Sequence, residues 1–157
     1  MSQTPRIVLV DDEDMVITSI SAFLMLETEW DVEGFTSPEA AMKDLETKPA
    51  DVVVSDYLMP KVNGIQLLRR AKELHPAAAR VLLTGHADKQ SAIQAINDVG
   101  LYQYLEKPWD NSQLLLVLKS AIERTALLKT LELKISELDA AHSSLKDVQS
   151  RLLRAFL

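Results

Sequence analysis

A run of three valines at residues 52–54 constrains the fold of this chain more than any other feature of its sequence. Consecutive β-branched residues with no polar residue between them are typical of a strand buried on both faces, as in a parallel sheet covered by helices. Asp56 lies just beyond the run, and Pro60 and Gly64 then interrupt the backbone before an apolar helical pattern begins at Ile65. Because ligands bind at the carboxyl ends of such strands, Asp56 is the candidate reactive residue.

Five apolar runs alternate with helical patterns between residues 6 and 120. The predicted strands cover residues 6–10, 31–35, 51–55, 80–83 and 101–105. This alternation predicts an α/β fold, namely a flavodoxin-like, doubly wound, five-stranded parallel sheet in the order 2-1-3-4-5. The fifth run alternates in polarity more than the others, which indicates an edge strand. Ser37 before Pro38, and Asp110 before the last helix, are predicted helix N-caps.

The composition excludes several functional classes. The 157 residues carry 17 Lys and Arg against 23 Asp and Glu, a net charge of −6 that argues against direct binding to nucleic acid. Because the chain has no cysteine, disulfides and thiolate metal sites are excluded. Acidic residues follow a very short apolar run at the N-terminus, which therefore predicts neither a signal peptide nor a membrane span. A cytoplasmic protein with no membrane partner is expected.

The candidate site residues come from the ends of four predicted strands. Asp11 and Asp12 follow the first strand, Asp56 the third, Thr84 the fourth and Lys107 the fifth. Three carboxylates repel one another unless a cation lies between them, and oxygen ligands without His or Cys favour Mg²⁺. A lysine and a threonine hydroxyl can bind a phosphoryl group, and a carboxylate can accept one. The set predicts phosphoryl transfer with Asp56 as the nucleophile.

Each of these residues, taken singly, also has an ordinary explanation. An acid can cap a helix or lie in a loop, a threonine can belong to a turn, a tyrosine can be a strand aromatic, and a lysine is usually a solvated surface charge. Together, at strand ends that converge on one edge of a sheet, they favour a functional site.

Four separated motifs carry a resemblance to a known family. They are Val10-Asp11-Asp12-Glu13, Asp56-Tyr57-Leu58-Met59-Pro60 with Gly64, Leu83-Thr84-Gly85, and Tyr104-Leu105-Glu106-Lys107-Pro108. In this order and spacing, residues 5 to 120 resemble the receiver domain of two-component response regulators. The resemblance implies a signalling module and not an enzyme.

The resemblance implies the acceptor and its metal site. Asp56 is expected to accept a phosphoryl group from a histidine kinase or a phosphotransfer protein. Asp11 and Asp12, together with Asp56 and the backbone carbonyl of Leu58, are expected to bind Mg²⁺.

The resemblance also implies the residues that respond to phosphorylation. Lys107, followed by a cis Pro108, is expected to pair with the phosphoryl group. Thr84 is expected to move toward that group, and Tyr104 is expected to swing inward as the second switch residue.

The C-terminal third of the chain predicts a long helix with a coiled-coil seam. No Gly or Pro occurs between Asp110 and Leu157. A heptad repeat places Leu128, Ile135, His142, Gln149 and Phe156 at a positions and Leu131, Leu138, Leu145 and Leu152 at d positions. We therefore expect a receiver domain over residues 1–122 and a coiled-coil extension over 123–157, continuous with the last receiver helix and forming a parallel homodimer. The alternative is an amphipathic helix that packs on its own domain.

These features define one functional expectation and its rivals. The chain is expected to be a phosphorylatable receiver that signals through its dimerising helix to a C-terminal output domain outside this chain. Alternatively, it is a stand-alone dimeric adaptor acting through protein contacts. A haloacid-dehalogenase-like phosphatase would use an Asp at the first strand, where Asp11 is followed by Asp12 and Glu13, but the cap region of such enzymes is missing. Nothing after Asp110 predicts a helix-turn-helix.

Overall fold

The computed structural model describes residues 4–156, which form a five-stranded sheet and the helices around it. The strands are β1 (Arg6–Val10), β2 (Asp31–Phe35), β3 (Val52–Asp56), β4 (Ala79–Thr84) and β5 (Gln103–Glu106). The α-helices are α1 (Asp14–Glu27), α2 (Pro38–Thr47), α3 (Gly64–Leu74), α4 (Lys89–Ala95) and α5 (Asn111–Phe156). A 3-10 turn over His86–Asp88 precedes α4, and a π-helical turn over Ile96–Gly100 follows it.

The strand order is β2-β1-β3-β4-β5 with every neighbouring pair parallel, which confirms the doubly wound topology and the edge position of β5. The ends of β3, β4 and β5 differ from the sequence prediction by one or two residues. β3 extends to Asp56, because this residue remains paired with Leu83 of β4. β5 begins only at Gln103, because Gly100 has a φ of 68° and ends the π-helical turn before the chain rejoins the sheet.

Alternate residues of the central strands fill two separate cores. Val8 and Val53 pack against α2 and α3 on one face, whereas Leu9 and Val54 pack against α1 and α5 on the other. These four side chains are at most 1% exposed. Since fully burying one such side chain stabilises the fold by roughly 1.5–3 kcal/mol, the valine run holds β3 firmly in the middle of the sheet.

The predicted caps set the starts of two helices. The Ser37 hydroxyl accepts a hydrogen bond from the Ala40 N–H at 3.3 Å, with Pro38 as the first residue of α2. The Asp110 carboxylate accepts from the Ser112 N–H at 3.0 Å. Both predictions are confirmed, and α5 therefore begins four positions after Lys107.

The contact pattern divides the chain into two compact units, Met1–Thr125 and Ala126–Leu157. The first unit contains the whole sheet, and the second consists of the last part of α5. The boundary predicted between residues 122 and 123 lies in the same helix, and the predicted domain ends at residues 1–3 and 157 lie outside the described residues. Within residues 4–156, no helix is both long and apolar enough to cross a membrane.

Candidate functional site

The first unit places Asp11 and Asp56 side by side at the carboxyl edge of the sheet. Val10 is paired with Ser55, so the next residue of each strand, Asp11 or Asp56, neighbours the other. One carboxylate oxygen from each of Asp11, Asp12 and Asp56 lies within 4.8 Å of the other two. Asp11 is 1% exposed and Asp56 is 6% exposed, whereas Asp12 is exposed. The three predicted acids therefore form one cluster with one solvent-facing member.

Lys107 completes this cluster from the β5 side of the sheet. Its Nζ lies 3.0 Å from Asp56 Oδ1 and 3.6 Å from Asp11 Oδ2. Its backbone N–H donates to the carbonyl of Thr84 at 2.7 Å, and its peptide bond to Pro108 is cis, as predicted. The end of β5 is therefore held against the end of β4, while the ammonium group reaches across to β3.

At this site, burial and the charge of neighbouring groups have opposite effects on the pKa values of Asp56 and Lys107. Burial raises the pKa of Asp11 to about 6, and the negative charge of Asp56 adds to that rise. Burial also raises the pKa of Asp56, although the hydrogen bond and charge of Lys107 work in the opposite direction. For Lys107, burial works to lower the pKa, but the hydrogen bond and charge of Asp56 outweigh burial and leave the pKa raised. One ammonium group thus faces three carboxyl groups.

The acid cluster fits a divalent cation that prefers oxygen ligands. Asp11 Oδ2 is buried and accepts no hydrogen bond from any described residue, although the Lys107 ammonium lies 3.6 Å away. A buried acceptor without a donor costs free energy, which a bound cation would offset. Among the described residues, the candidate metal-ligand atoms at this site are all carboxylate oxygens. Hard cations such as Mg²⁺ or Ca²⁺ require oxygen ligands.

The two predicted switch residues lie on neighbouring strands. Leu82 pairs with Tyr104 and Thr84 pairs with Glu106, so Thr84 and Tyr104 project from the same face of the sheet. Thr84 is 0% exposed, and its hydroxyl has no hydrogen-bond partner among the described residues. Tyr104 is half-buried and packs against the core cluster that includes Ala92 of α4. Thr84 therefore carries an unused hydrogen-bond donor beside the site.

Gly64 allows the loop after Asp56 to fold back and pack against the end of β3. Its N–H donates to the carbonyl of Tyr57 at 2.8 Å, and a Cβ at this position would collide with the backbone carbonyl of Asp56. The sequence indicated only a backbone break here, whereas the structure shows a close approach that glycine permits. Leu58, whose carbonyl is a predicted metal ligand, lies in this loop with its side chain 60% exposed.

A capping box that was not predicted from the sequence anchors α3. Asn63 Oδ1 accepts from the Gln66 N–H, and Gln66 Oε1 accepts from the Asn63 N–H, both at 2.9 Å. An Asn followed three residues later by a Gln, just before an apolar run, was the available signal. This pair of hydrogen bonds fixes the beginning of α3 immediately behind the loop that follows Asp56.

Fold and site together define a class of protein. A doubly wound α/β domain carries three acids and a lysine at the edge where β1 and β3 meet, which is the topological switch point of this sheet order. Flavodoxin-like sheets place their ligand sites at that point, and CheY-like signalling domains share this topology.

The chain belongs to the response regulator receiver family, because the family model for the response regulator receiver domain matches residues 7–119. It is therefore a receiver of two-component signalling, as its motifs indicated. Among solved structures, the response regulator receiver domain protein from Clostridium thermocellum has a TM-score of 0.73 and 32% identity, covering 79% of this chain and 98% of that one.

Two curated relatives are similar over most of this chain. The hydrogenase transcriptional regulatory protein HoxA of Bradyrhizobium diazoefficiens is 30% identical over 150 residues, which cover 96% of this chain and 30% of that protein. The C4-dicarboxylate transport transcriptional regulatory protein DctD of Rhizobium meliloti is 33% identical over 127 residues, which cover 81% of this chain and 27% of that protein. The chain thus spans less than a third of the length of these relatives.

Proposed function

We propose that Asp56 is the phosphoacceptor of this receiver. The observation that carries the proposal is the 3.0 Å contact between Asp56 Oδ1 and Lys107 Nζ, beside two further acids. A carboxylate oxygen of Asp56 attacks the phosphorus of a phosphohistidine, so that a P–O bond forms while the P–N bond breaks and the imidazole leaves. The donor is a histidine kinase or a phosphotransfer protein, and the product is a signalling state of this chain and not the end of a catalytic cycle.

The metal of this proposal is Mg²⁺, held by Asp11, Asp12 and Asp56 with the backbone carbonyl of Leu58. When bound, Mg²⁺ neutralises the charge of the transferred group. Three acids beside one lysine support this assignment, as does a buried oxygen of Asp11 that accepts no hydrogen bond from any described residue.

Lys107, Thr84 and Tyr104 have the remaining roles in this proposal. Lys107 Nζ exchanges its contact with Asp56 for one with the phosphoryl oxygens. The Thr84 hydroxyl, which is buried and has no partner in the described part of the chain, donates to the same group. Tyr104, on the same face of the sheet, then moves inward into the space that Thr84 leaves.

Mass spectrometry after incubation with acetyl phosphate and Mg²⁺ tests the acceptor assignment. The native chain is expected to gain the mass of one phosphoryl group, on Asp56, and chelation of the metal is expected to abolish the gain. The Asp56→Asn variant should gain none. The matched control is Asp110→Asn, which changes an exposed acid near this edge and keeps a capping side chain. Full labelling of Asp56→Asn would refute the assignment.

A haloacid-dehalogenase-like phosphatase remains the enzymatic rival, with Asp11 as its nucleophile. Lys107 Nζ lies closer to Asp56, at 3.0 Å, than to Asp11, at 3.6 Å, which favours Asp56 as the acceptor. Sustained turnover of a small phosphate ester by the Asp56→Asn variant would favour the phosphatase.

We also propose that the second unit forms a homodimer through its heptad seam. Its d-position leucines are exposed, with Leu131 at 55%, Leu138 at 69%, Leu145 at 63% and Leu152 at 54%. The side chain of Phe156, a predicted a position, lies outside the described side chains. A stripe of exposed leucines at heptad spacing buries its apolar area by pairing with a second copy.

The last part of the proposal is a cytoplasmic regulator with a C-terminal output domain, and the length and names of the relatives support the presence of an output domain. HoxA and DctD are named transcriptional regulatory proteins, and each is more than three times as long as the segment it shares with this chain. In this proposal, residues 1–122 receive the signal and residues 123–157 pass it on. The alternative function is a stand-alone dimeric adaptor that acts through contacts with other proteins.

A further inference from the structure

A buried hydrogen bond fastens α5 to the sheet at the last residue of the first unit. Thr125 is 0% exposed, and its Oγ1 donates to the backbone carbonyl of Asp51 at 3.0 Å. A threonine inside a helix commonly donates to the carbonyl of the preceding turn of its own helix. Here the hydroxyl instead joins two positions that are 74 residues apart.

Asp51 is a junction of several elements at the edge of the sheet opposite to the candidate site. Its carbonyl also accepts from the Ala79 N–H at 2.9 Å, and its Oδ2 accepts from the Arg6 N–H at 2.8 Å. Ala79 and Arg6 are the first residues of β4 and β1. Thr125 is therefore bound to the residue immediately before β3, the strand that ends at Asp56.

The buried stripe of α5 ends at Thr125. Leu114, Leu118 and Ala121 precede it at helical spacing, and each is 0% exposed. From Ala126 to Ala155, every residue is exposed except Leu128, which is half-buried. Thr125 is thus the last fully buried residue before α5 continues as the second unit.

The first residue of α5 lies only a few residues after the candidate site. Lys107 is followed by Pro108, Trp109 and Asp110, and α5 starts at Asn111. Residues 111–125 of α5 therefore run from the edge of the sheet that holds the acids to the edge that holds Asp51.

We propose that the Thr125 hydroxyl is the pivot through which a change at the phosphorylation site is passed into the second unit. The inference rests on the proposed acceptor role of Asp56. Because Thr125 is held at β3, a displacement of the first turn of α5 tilts the helix about this point instead of sliding it along the sheet. Thr125 is a positioning residue, since it contacts neither the phosphoryl group nor the metal.

The test uses the full chain with Mg²⁺ and beryllofluoride, an analogue of the phosphoryl group. Thr125→Val and Thr125→Ala remove the hydroxyl, Thr125→Ser retains it, and Thr130→Val makes the same change at an exposed position of the same helix. Fluorine NMR measures occupancy of the Asp56 site, and hydrogen exchange measures the response of residues 126–138.

In the native chain, Thr125→Ser and Thr130→Val, saturation with beryllofluoride is expected to change exchange over residues 126–138. In Thr125→Val and Thr125→Ala we expect equal occupancy but a response about fivefold smaller, the equivalent of one net hydrogen bond of about 1 kcal/mol. Two variants without the hydroxyl are used so that the test still works if one of them folds poorly.

A native-like response in both hydroxyl-free variants overturns the pivot and leaves the acceptor assignment intact. The pivot is also overturned if the native chain binds beryllofluoride without any change beyond residue 125. If the native chain does not bind beryllofluoride at all, the acceptor assignment fails, and the pivot fails with it.

Discussion

Asp11 is the clearest case of a carboxyl group at the candidate site that is both buried and next to another acid. It is 1% exposed, it neighbours Asp56, and one of its oxygens accepts no hydrogen bond from a described residue. Its other oxygen accepts from the Glu13 N–H at 2.9 Å, so the side chain cannot turn away from the cluster without losing that bond. A buried acid held in this way destabilises the metal-free fold and gains most from a cation.

The cost of burying Asp11 is tested by measuring the free energy of unfolding as a function of pH in a buffer that contains a chelator. Burial raises the pKa of Asp11 from 3.8 to about 6, so the folded state binds its proton more tightly than the unfolded state does. The proton on Asp11 adds to the free energy of unfolding below pH 4. As the pH rises to 6, this contribution is lost, and the free energy of unfolding falls by about 2 kcal/mol. We expect urea unfolding of Asp11→Asn to lack this fall relative to the native chain. Parallel pH profiles for the two proteins would contradict the prediction.

Thr84 has a fully buried hydroxyl with no hydrogen-bond partner among the described residues, which also costs free energy. Valine has nearly the same shape and no donor, so Thr84→Val is expected to stabilise the free protein by about 1 kcal/mol. The same variant should bind beryllofluoride about tenfold more weakly, because it lacks the proposed donor to the phosphoryl group. Thr84→Ser is the control that keeps the donor. A loss of stability in Thr84→Val, measured by urea unfolding, would show that the hydroxyl is already satisfied.

At the scale of elements, the site depends on how closely α3 approaches the end of β3. The capping box of Asn63 and Gln66 fixes the start of this helix, and Gly64 is its first residue. The Tyr57 N–H donates to the carbonyl of Leu83 at 2.9 Å, which keeps the loop aligned with β4. The loop that follows Asp56 is therefore held from both sides.

Substitution of Gly64 tests this packing. A Cβ at position 64 would collide with the backbone carbonyl of Asp56, so Gly64→Ala is expected to destabilise the fold by about 1–3 kcal/mol and to slow phosphorylation of Asp56. Gly85→Ala is the matched control, because its Cβ would meet only the flexible side chain of Asp88, at 3.3 Å. Thermal unfolding and acetyl phosphate labelling measure the two effects. Equal behaviour of the two variants would argue against the close approach.

At the scale of the whole molecule, two compact units share one helix. The first unit contains the candidate site, and the second presents the leucines of the heptad seam. Leu133 lies outside that seam at an f position and is 59% exposed, close to the 69% exposure of Leu138 at a d position. This pair of leucines separates the effect of the seam from that of general surface hydrophobicity.

Sedimentation of the two variants tests the homodimer. Leu138→Asp is expected to weaken the dimer at least tenfold, because it places a charge in a buried layer, whereas Leu133→Asp should leave it unchanged. Both variants should still accept a phosphoryl group on Asp56, since the first unit contains every predicted site residue. A dimer unaffected by Leu138→Asp would place the interface elsewhere.

Most of the architecture was predictable from local patterns. Five apolar runs, the Ser37 and Asp110 caps and the alternation of strands with helices are properties of short segments, and the strand order follows from general rules for parallel sheets. The acids and Lys107 were identified as site candidates because each lies at the end of a run that must converge with the others. The boundaries of β3, β4 and β5 were less accurate, because pairing with neighbouring strands sets them.

The sequence by itself determined which elements form and which charged residues meet at one edge, because periodicity and residue type encode both. Only the tertiary structure decided that Gly64 lies against the Asp56 carbonyl, that the Thr84 hydroxyl has no partner among the described residues, and that Thr125 binds Asp51 just before β3. Each of these facts depends on the distance between atoms far apart in the chain, and packing of the complete sheet and its helices sets that distance.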